Sequence, residues 1–158
     1  MRRVLVVATT LALASTLTSC ASGPNAATRQ VNQVTDGVEK QVVTGGVDLR
    51  INNITVVLTP AGDAVLVGTL ANRGKESDSL LGVVINGNQA TLTGLQDLKQ
   101  YAPITFEGDI ANAKAVVKSS AFVAGHRTTV TLGFAKAGLV NLDAMVREAD
   151  GIYANITA

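Results

Sequence analysis

The side chains able to do chemistry in this sequence are few and lie far apart. The 158 residues contain one cysteine, Cys20, one histidine, His126, and two methionines, Met1 and Met145. Nucleophilic catalysis needs a nucleophile, a base and a group that orients the base, and a metal site needs three or four ligands. His126 lies in a predicted turn before a strand. The sequence therefore predicts a solvated turn histidine and no catalytic residue.

Charged residues offer carboxylate pairs without a sign of burial. Glu76 and Asp78 form a charged turn with Lys75. A carboxylate pair can do acid–base chemistry only when a cleft raises the pKa of one of the two groups. Two further charged pairs occupy alternate positions of predicted strands: Asp48 with Arg50, and Glu107 with Asp109. We predict that all of these side chains face solvent.

Residues 1–20 have the pattern of a secretory signal. Arg2 and Arg3 precede an apolar run over residues 4–17, which is shorter than the about 20 residues of a membrane-spanning helix. The following residues 17–20, Leu-Thr-Ser-Cys, resemble the bacterial lipobox, in which the Cys thiol becomes the thioether that carries diacylglycerol. We therefore predict a signal peptide over 1–19 and lipid attachment, including palmitate, at Cys20. An ordinary secretory cleavage with an incidental thiol is the alternative.

The composition argues against nucleic acid as a partner and divides the chain into a tether and a domain. Without Arg2 and Arg3 the chain has 11 basic residues against 12 acidic ones, and aromatic residues make up 3%. A nearly neutral chain with few aromatic side chains is not suited to nucleic acid. Residues 20–46 are rich in small polar residues and are predicted to be the lipidated Cys and a flexible tether, with 29–46 either a loop or a loosely docked first strand. The domain is predicted over 47–158.

From residue 47 onward the sequence alternates between apolar and polar positions, which indicates strands. A change of phase at Asn52-Asn53 predicts a β-bulge, and Asn86-Gly87-Asn88 predicts a tight hairpin. Turn residues recur every 8–12 residues or so, so we expect an all-β, antiparallel sandwich. The predicted runs are 47–51, 54–58, 64–71, 80–85, 89–93, 104–110 with Ile110 on the apolar face, 113–122, 129–134 and 140–146. Helical turns are expected only over 92–100 and 145–150.

Three stretches of the predicted domain resemble a known family. They are residues 64–82, with Asn72 and Gly74 in an N-x-G and Asp78 opening a D-x-L-x-G, then 124–134 (AGHRTTVTLGF) and 137–142 (AGLVNL). They are similar to the PCu(A)C-type periplasmic copper chaperones, and more closely to the actinobacterial lipoproteins related to them. The resemblance covers roughly residues 47–147. It implies a cupredoxin-like (immunoglobulin-like) β-sandwich, and it raises copper delivery as a function.

The positions that the resemblance assigns to metal carry other residues. The family binds copper through His and Met residues in two segments, which fall here near 91–93 and 112–117. These segments read Thr-Leu-Thr and Asn-Ala-Lys-Ala-Val-Val, and copper(I) prefers thioether and imidazole ligands. We therefore expect no bound metal and no cofactor.

These observations favour a non-enzymatic lipoprotein on the extracytoplasmic face of the cell membrane. Its partners would be membrane lipid, through Cys20, and an envelope protein or lipid recognised by loops or by one sheet face. The alternative is a copper chaperone with a non-standard site, built from His126, Met145 and carboxylates. An envelope hydrolase that uses His126 is a third hypothesis, for which the sequence supplies no nucleophile motif.

Overall fold

The computed structural model describes residues 37–118 and 121–158. These residues form eleven strands and one short 3₁₀ helix. The strands are β1 (Val38–Thr44), β2 (Val47–Leu58), β3 (Ala64–Asn72), β4 (Asp78–Ile85), β5 (Asn88–Gln89), β6 (Thr91–Gly94), β7 (Asp97–Leu98), β8 (Ile104–Thr105), β9 (Ala113–Val117), β10 (Arg127–Phe134) and β11 (Gly138–Glu148). The 3₁₀ helix covers Gly151–Tyr153.

The strands form two layers that are joined through β11. The first sheet has the order β1-β2-β3-β9-β6, with β8 paired to β3. The second sheet has the order β5-β4-β10-β11, with β7 paired to β4. All pairs of strands are antiparallel except one, in which the end of β11 runs parallel to β2 over Val146–Glu148. Because β5 and β6, at the two ends of the path, are consecutive in the chain, the sandwich is nearly closed into a barrel.

The apolar core lies between the two sheets and follows the alternation of the sequence. On β10 the side chains of Val130, Leu132 and Phe134 are buried, and Val140 and Leu142 are buried opposite them on β11. Alternate positions on the same strands face outward. The all-β sandwich predicted from this period of two is confirmed.

Two predicted local features are present and have clear causes. The register of β2 against β3 shifts between Asn52 and Thr55, and Asn53 adopts a φ of +54°. Asn tolerates this left-handed conformation better than most residues, so the bulge falls where the sequence predicted it. Asn86 and Gly87, with φ values of +49° and +78°, connect β4 to β5, and positive φ at both positions is typical of a type I′ hairpin turn.

Other expectations are wrong at the level of single elements. Residues 92–100 contain the strands β6 and β7, because β6 is held in extended form by its pairing with β9. Residues 145–148 continue β11, because that strand extends to pair with β2. Ile110, which was expected on the apolar face, is 77% exposed in the loop after β8.

The structure also describes part of the segment that precedes the predicted domain. Residues 38–44, which were left open as a loop or a first strand, form β1 and pair with β2 from Val38 to Thr44. The sheet therefore begins upstream of residue 47. Residues 20–36, the rest of the predicted tether, and the predicted signal over 1–19 lie outside the described residues.

Candidate functional site

Strands β6 and β9 bring together the two segments to which the resemblance assigns metal ligands. We call these paired strands, Thr91–Gly94 and Ala113–Val117, the β6–β9 corner. In their register Thr91 lies opposite Val116 and Thr93 lies opposite Lys114. The loop before β9 is fixed by Asn112, whose Oδ1 accepts the Thr105 N–H at 2.8 Å while its Nδ2 donates to the Pro103 carbonyl at 2.9 Å.

A lysine–carboxylate pair lies at this corner. Lys114 Nζ is 3.5 Å from Glu107 Oε1 and donates a hydrogen bond to the Thr157 carbonyl at 2.8 Å. The Glu107 side chain is 13% exposed, so the prediction that it faces solvent is wrong, whereas Asp109 is exposed as expected. Glu107 and Lys114 line a surface cavity of about 300 Å³.

The donor set of the corner is hard, and its two charged groups form an ion pair with no net charge. It offers threonine hydroxyls, one carboxylate and an ammonium group, with the Asn112 amide already used for the loop. Copper(I) prefers sulfur and imidazole donors, which differ from the oxygen and ammonium groups of this corner. The corner is therefore suited to hydrogen bonding and ion pairing.

His126 lies in the turn before β10 and its side chain is exposed. Its backbone is used for structure: the His126 carbonyl accepts the Val146 N–H at 2.8 Å, and the His126 N–H donates to the Val123 carbonyl at 3.3 Å. The solvated turn histidine that the sequence predicted is confirmed by this placement.

Met145 lies on β11 directly opposite Arg127, whose Nε is 2.6 Å from Asp143 Oδ2 on the same outer face. His126 lies in the bend before β10, one residue outside this pairing. Among residues 37–118 and 121–158, no group of three or more His, Cys, Asp and Glu side chains is placed to hold a metal ion.

The Asp78 carboxylate is buried, contrary to the prediction. The residue is 3% exposed, and its two oxygens accept the backbone N–H groups of Ser79, Lys136 and Ala137 at 2.8, 2.8 and 2.9 Å. It therefore closes the turn between β10 and β11 onto the start of β4. The neighbouring Glu76 is exposed, as predicted, and is 3.2 Å from Lys136 Nζ.

Asn72 is a second buried polar residue, whose role sequence reasoning missed. It is fully buried at the end of β3. Its Nδ2 donates to the carbonyls of Glu76 and Leu98, at 2.6 and 3.1 Å, and its Oδ1 accepts the Gly74 N–H at 2.9 Å. The available signal was the N-x-G pattern itself, since an Asn side chain commonly hydrogen-bonds the backbone two residues on.

The remaining predicted residues have simple placements. Asp48 and Arg50 are partly covered, with Asp48 Oδ1 3.8 Å from Arg50 Nε and also accepting Gln41 Nε2 of β1 at 2.8 Å. Lys75 is exposed. Cys20, the predicted lipid attachment residue, lies outside the described residues. In the part of the chain that the structure describes, no helix has the length and apolar character needed to cross a membrane.

Comparison with solved structures identifies the fold of the chain. No protein-family model and no curated protein matches the chain. Among solved structures it is similar to the apo PCuAC domain from PmoF1, at 21% identity and a TM-score of 0.55, over 69% of this chain and 99% of that one. The copper-bound PCuAC domain from PmoF2 matches at 19% identity and a TM-score of 0.55, over 69% of this chain and 98% of that one. The apo PmoF2 PCuAC domain matches at 21% identity and a TM-score of 0.53, over 71% and 98%. The chain therefore has the cupredoxin-like β fold of the PCuAC copper chaperone domains.

Proposed function

We propose that this chain is a lipoprotein, attached through Cys20 to the extracytoplasmic face of the cell membrane, whose β domain is a non-catalytic binding module of the cell envelope. The signal-like pattern of residues 1–20 supports the anchor. Two or three acyl chains on one Cys hold a protein at a membrane far more firmly than a single chain does. The β domain then acts outside the cytoplasm, where its partner is an envelope protein or lipid.

One observation carries the choice of a binding module over a copper carrier. The β6–β9 corner pairs the two segments that the resemblance assigns to copper, and Lys114 lies there opposite Thr93. The lysine ammonium is held by Glu107 and by the Thr157 carbonyl. A protein that carries copper(I) by the family's site needs soft ligands at this place, and this chain has an ion-paired lysine there.

The proposal that the domain is not an enzyme rests on two placements. His126 is exposed in a turn, where an imidazole is without the enclosed surroundings that catalysis uses. The buried carboxylate of Asp78 accepts three backbone N–H groups, so its hydrogen-bonding capacity is used to hold the fold.

The anchor is tested by the distribution of the protein between membrane and soluble fractions. We expect the unchanged chain and Ser19→Ala to remain with the membrane, because Ala preserves the small residue that the lipobox needs. We expect Cys20→Ala to be released, since it has no thiol to acylate. The anchor is excluded if Cys20→Ala stays with lipid to the same extent as Ser19→Ala.

The binding role is tested by crosslinking in intact cell envelopes. We expect the unchanged chain to form a defined crosslinked product that is absent or strongly reduced for Cys20→Ala, because the released protein is diluted away from the membrane. Recovery of nothing beyond lipid from the unchanged chain would contradict a protein-binding module.

A copper chaperone with a non-standard site is the second candidate, favoured by the likeness to a domain described as copper-bound. Such a site would use His126 and Met145. In a copper(I) titration, this candidate predicts binding that is lost in His126→Ala, whereas the proposed binding module predicts the same weak response from both proteins.

A further inference from the structure

The outer face of the first sheet has a row of apolar side chains that are buried outside the main core. Val57 on β2 lies opposite Val65 on β3, and Val65 lies opposite Val116 on β9. All three are buried, yet none belongs to the cluster between the two sheets. Their neighbours Val56 and Leu66 do belong to it. Because successive strand residues point to opposite faces, something other than the second sheet covers this row.

The path of the C-terminal segment, residues 149–158, identifies the cover. At its start the Ala149 N–H donates to the Leu58 carbonyl of β2 at 3.2 Å. Near its end the Thr157 carbonyl accepts a hydrogen bond from Lys114 Nζ of β9 at 2.8 Å. Since β3 lies between β2 and β9, the segment passes over β3, a distance of about 10 Å for two strand spacings.

Tyr153 is the buried side chain of this segment. It is 6% exposed and, like the valine row, lies outside the main core cluster. The segment also has its own hydrogen bonds: the Tyr153 N–H donates to the Asp150 carbonyl at 2.8 Å, and the Ile156 N–H donates to the Tyr153 carbonyl at 3.0 Å. It is thus a small folded unit with one buried aromatic ring.

We propose that residues 149–158 form a displaceable strap over a latent apolar docking surface, the row Val57–Val65–Val116. The occupant of this surface in the closed state is the strap itself, seated by Tyr153 and held at its end by Lys114. The strap opens without loss of the main core, because its residues contribute nothing to the cluster between the sheets. A partner suited to the open surface is a peptide segment with one aromatic anchor beside small residues. This proposal depends neither on the lipid anchor nor on the metal ligands.

Hydrogen exchange in the full chain tests whether the strap opens on its own. The amides of Tyr153 and Ile156 report the strap, and the amides of Val130 and Leu132 on β10 report the core. Lys114→Met removes the hydrogen bond to Thr157 and is expected to speed exchange of the strap amides about fivefold while the core amides are unchanged. Lys118→Met is the matched control: Lys118 follows the end of β9 and pairs with Asp63 at 2.9 Å, so no change at the strap is expected.

Tyr153→Ala tests the docking surface directly. We expect this variant to bind an apolar fluorescent dye several-fold more than the unchanged chain. A synthetic peptide of residues 149–158 added in trans should reverse the increase, and the same peptide with Ala in place of the tyrosine should not.

Three results would overturn the proposal. The first is that the strap amides exchange with solvent no faster than the β10 amides do. The second is an equal effect of Lys114→Met and Lys118→Met on the strap. The third is loss of β10 protection in Tyr153→Ala, which would mean that the segment is an integral part of the folded core.

Discussion

The loop between β3 and β4 matches the copper-chaperone pattern at Asn72, Gly74 and Asp78, whereas the β6–β9 corner departs from it at the positions of the metal ligands. In the loop, the matching polar residues are buried and hydrogen-bonded to backbone groups of distant segments. At the corner, the residues in place of ligands are threonines and Lys114, which lie at the surface or close to it.

The residues that match the family pattern here are those that hydrogen-bond the backbone. A buried N–H or C=O needs a partner whatever the protein does, so the fold depends on Asn72 and Asp78 directly. Ligands at a partly exposed corner contribute to metal binding but little to folding. A chain can therefore keep the sandwich of the PCuAC domains when the residues at the ligand positions change.

The largest expected effect is at Asp78. Asp78→Ala leaves the amides of Ser79, Lys136 and Ala137 without an acceptor in a buried position, and we expect it to lower the free energy of unfolding by about 3 kcal/mol. Urea denaturation measures the change. Glu76→Ala, two residues away and exposed, is the control and should cost about 0.5 kcal/mol or less. If the two substitutions lowered the free energy of unfolding equally, Asp78 would not have the structural role assigned to it.

The second-largest loss of stability is expected at Asn72. Asn72→Ala leaves the buried carbonyl of Leu98 and the Gly74 amide without their partner, so we expect a loss of about 2 kcal/mol in the same measurement. Asn141→Ala is the matched change at an exposed Asn, whose side chain accepts the Thr131 hydroxyl at 2.8 Å. A loss for Asn72→Ala as small as for Asn141→Ala would contradict the account of the N-x-G turn.

The smallest stability effect is expected at the corner. The Lys114 side chain is 34% exposed and its Glu107 contact is 3.5 Å long, and partly exposed ion pairs contribute about 1 kcal/mol or less. Lys114→Met should therefore change the urea midpoint only slightly. If it destabilised the protein as much as Asp78→Ala, the corner would be a structural element and the contrast between the two regions would fail.

The sequence predicted those parts of the fold that depend on local patterns. Alternation located the buried faces of β10 and β11, and the Asn-rich steps at 52–53 and 86–88 located a bulge and a hairpin, because Asn and Gly tolerate positive φ. The strand β7 and the end of β6 were missed, because their extended form is imposed by pairing with segments distant in sequence.

The candidate site was predictable only in part. The absence of His and Met at 91–93 and 112–117 is visible in the sequence. The burial of Asp78 is not, because two of the three N–H groups that its carboxylate accepts, those of Lys136 and Ala137, come from residues almost sixty positions away. The Lys114 contacts with Glu107 and Thr157 are hidden for the same reason, as is the row of valines beneath the C-terminal segment.

Copper(I) titration of the chain against a competing chelator measures whether the domain binds copper without the family's ligands. The Cys20→Ala form is the correct sample, because a free thiol binds copper(I) by itself. We predict no binding tighter than micromolar, with the same response from His126→Ala. Stoichiometric, tighter binding that is lost on substitution of His126 or Met145 would contradict it.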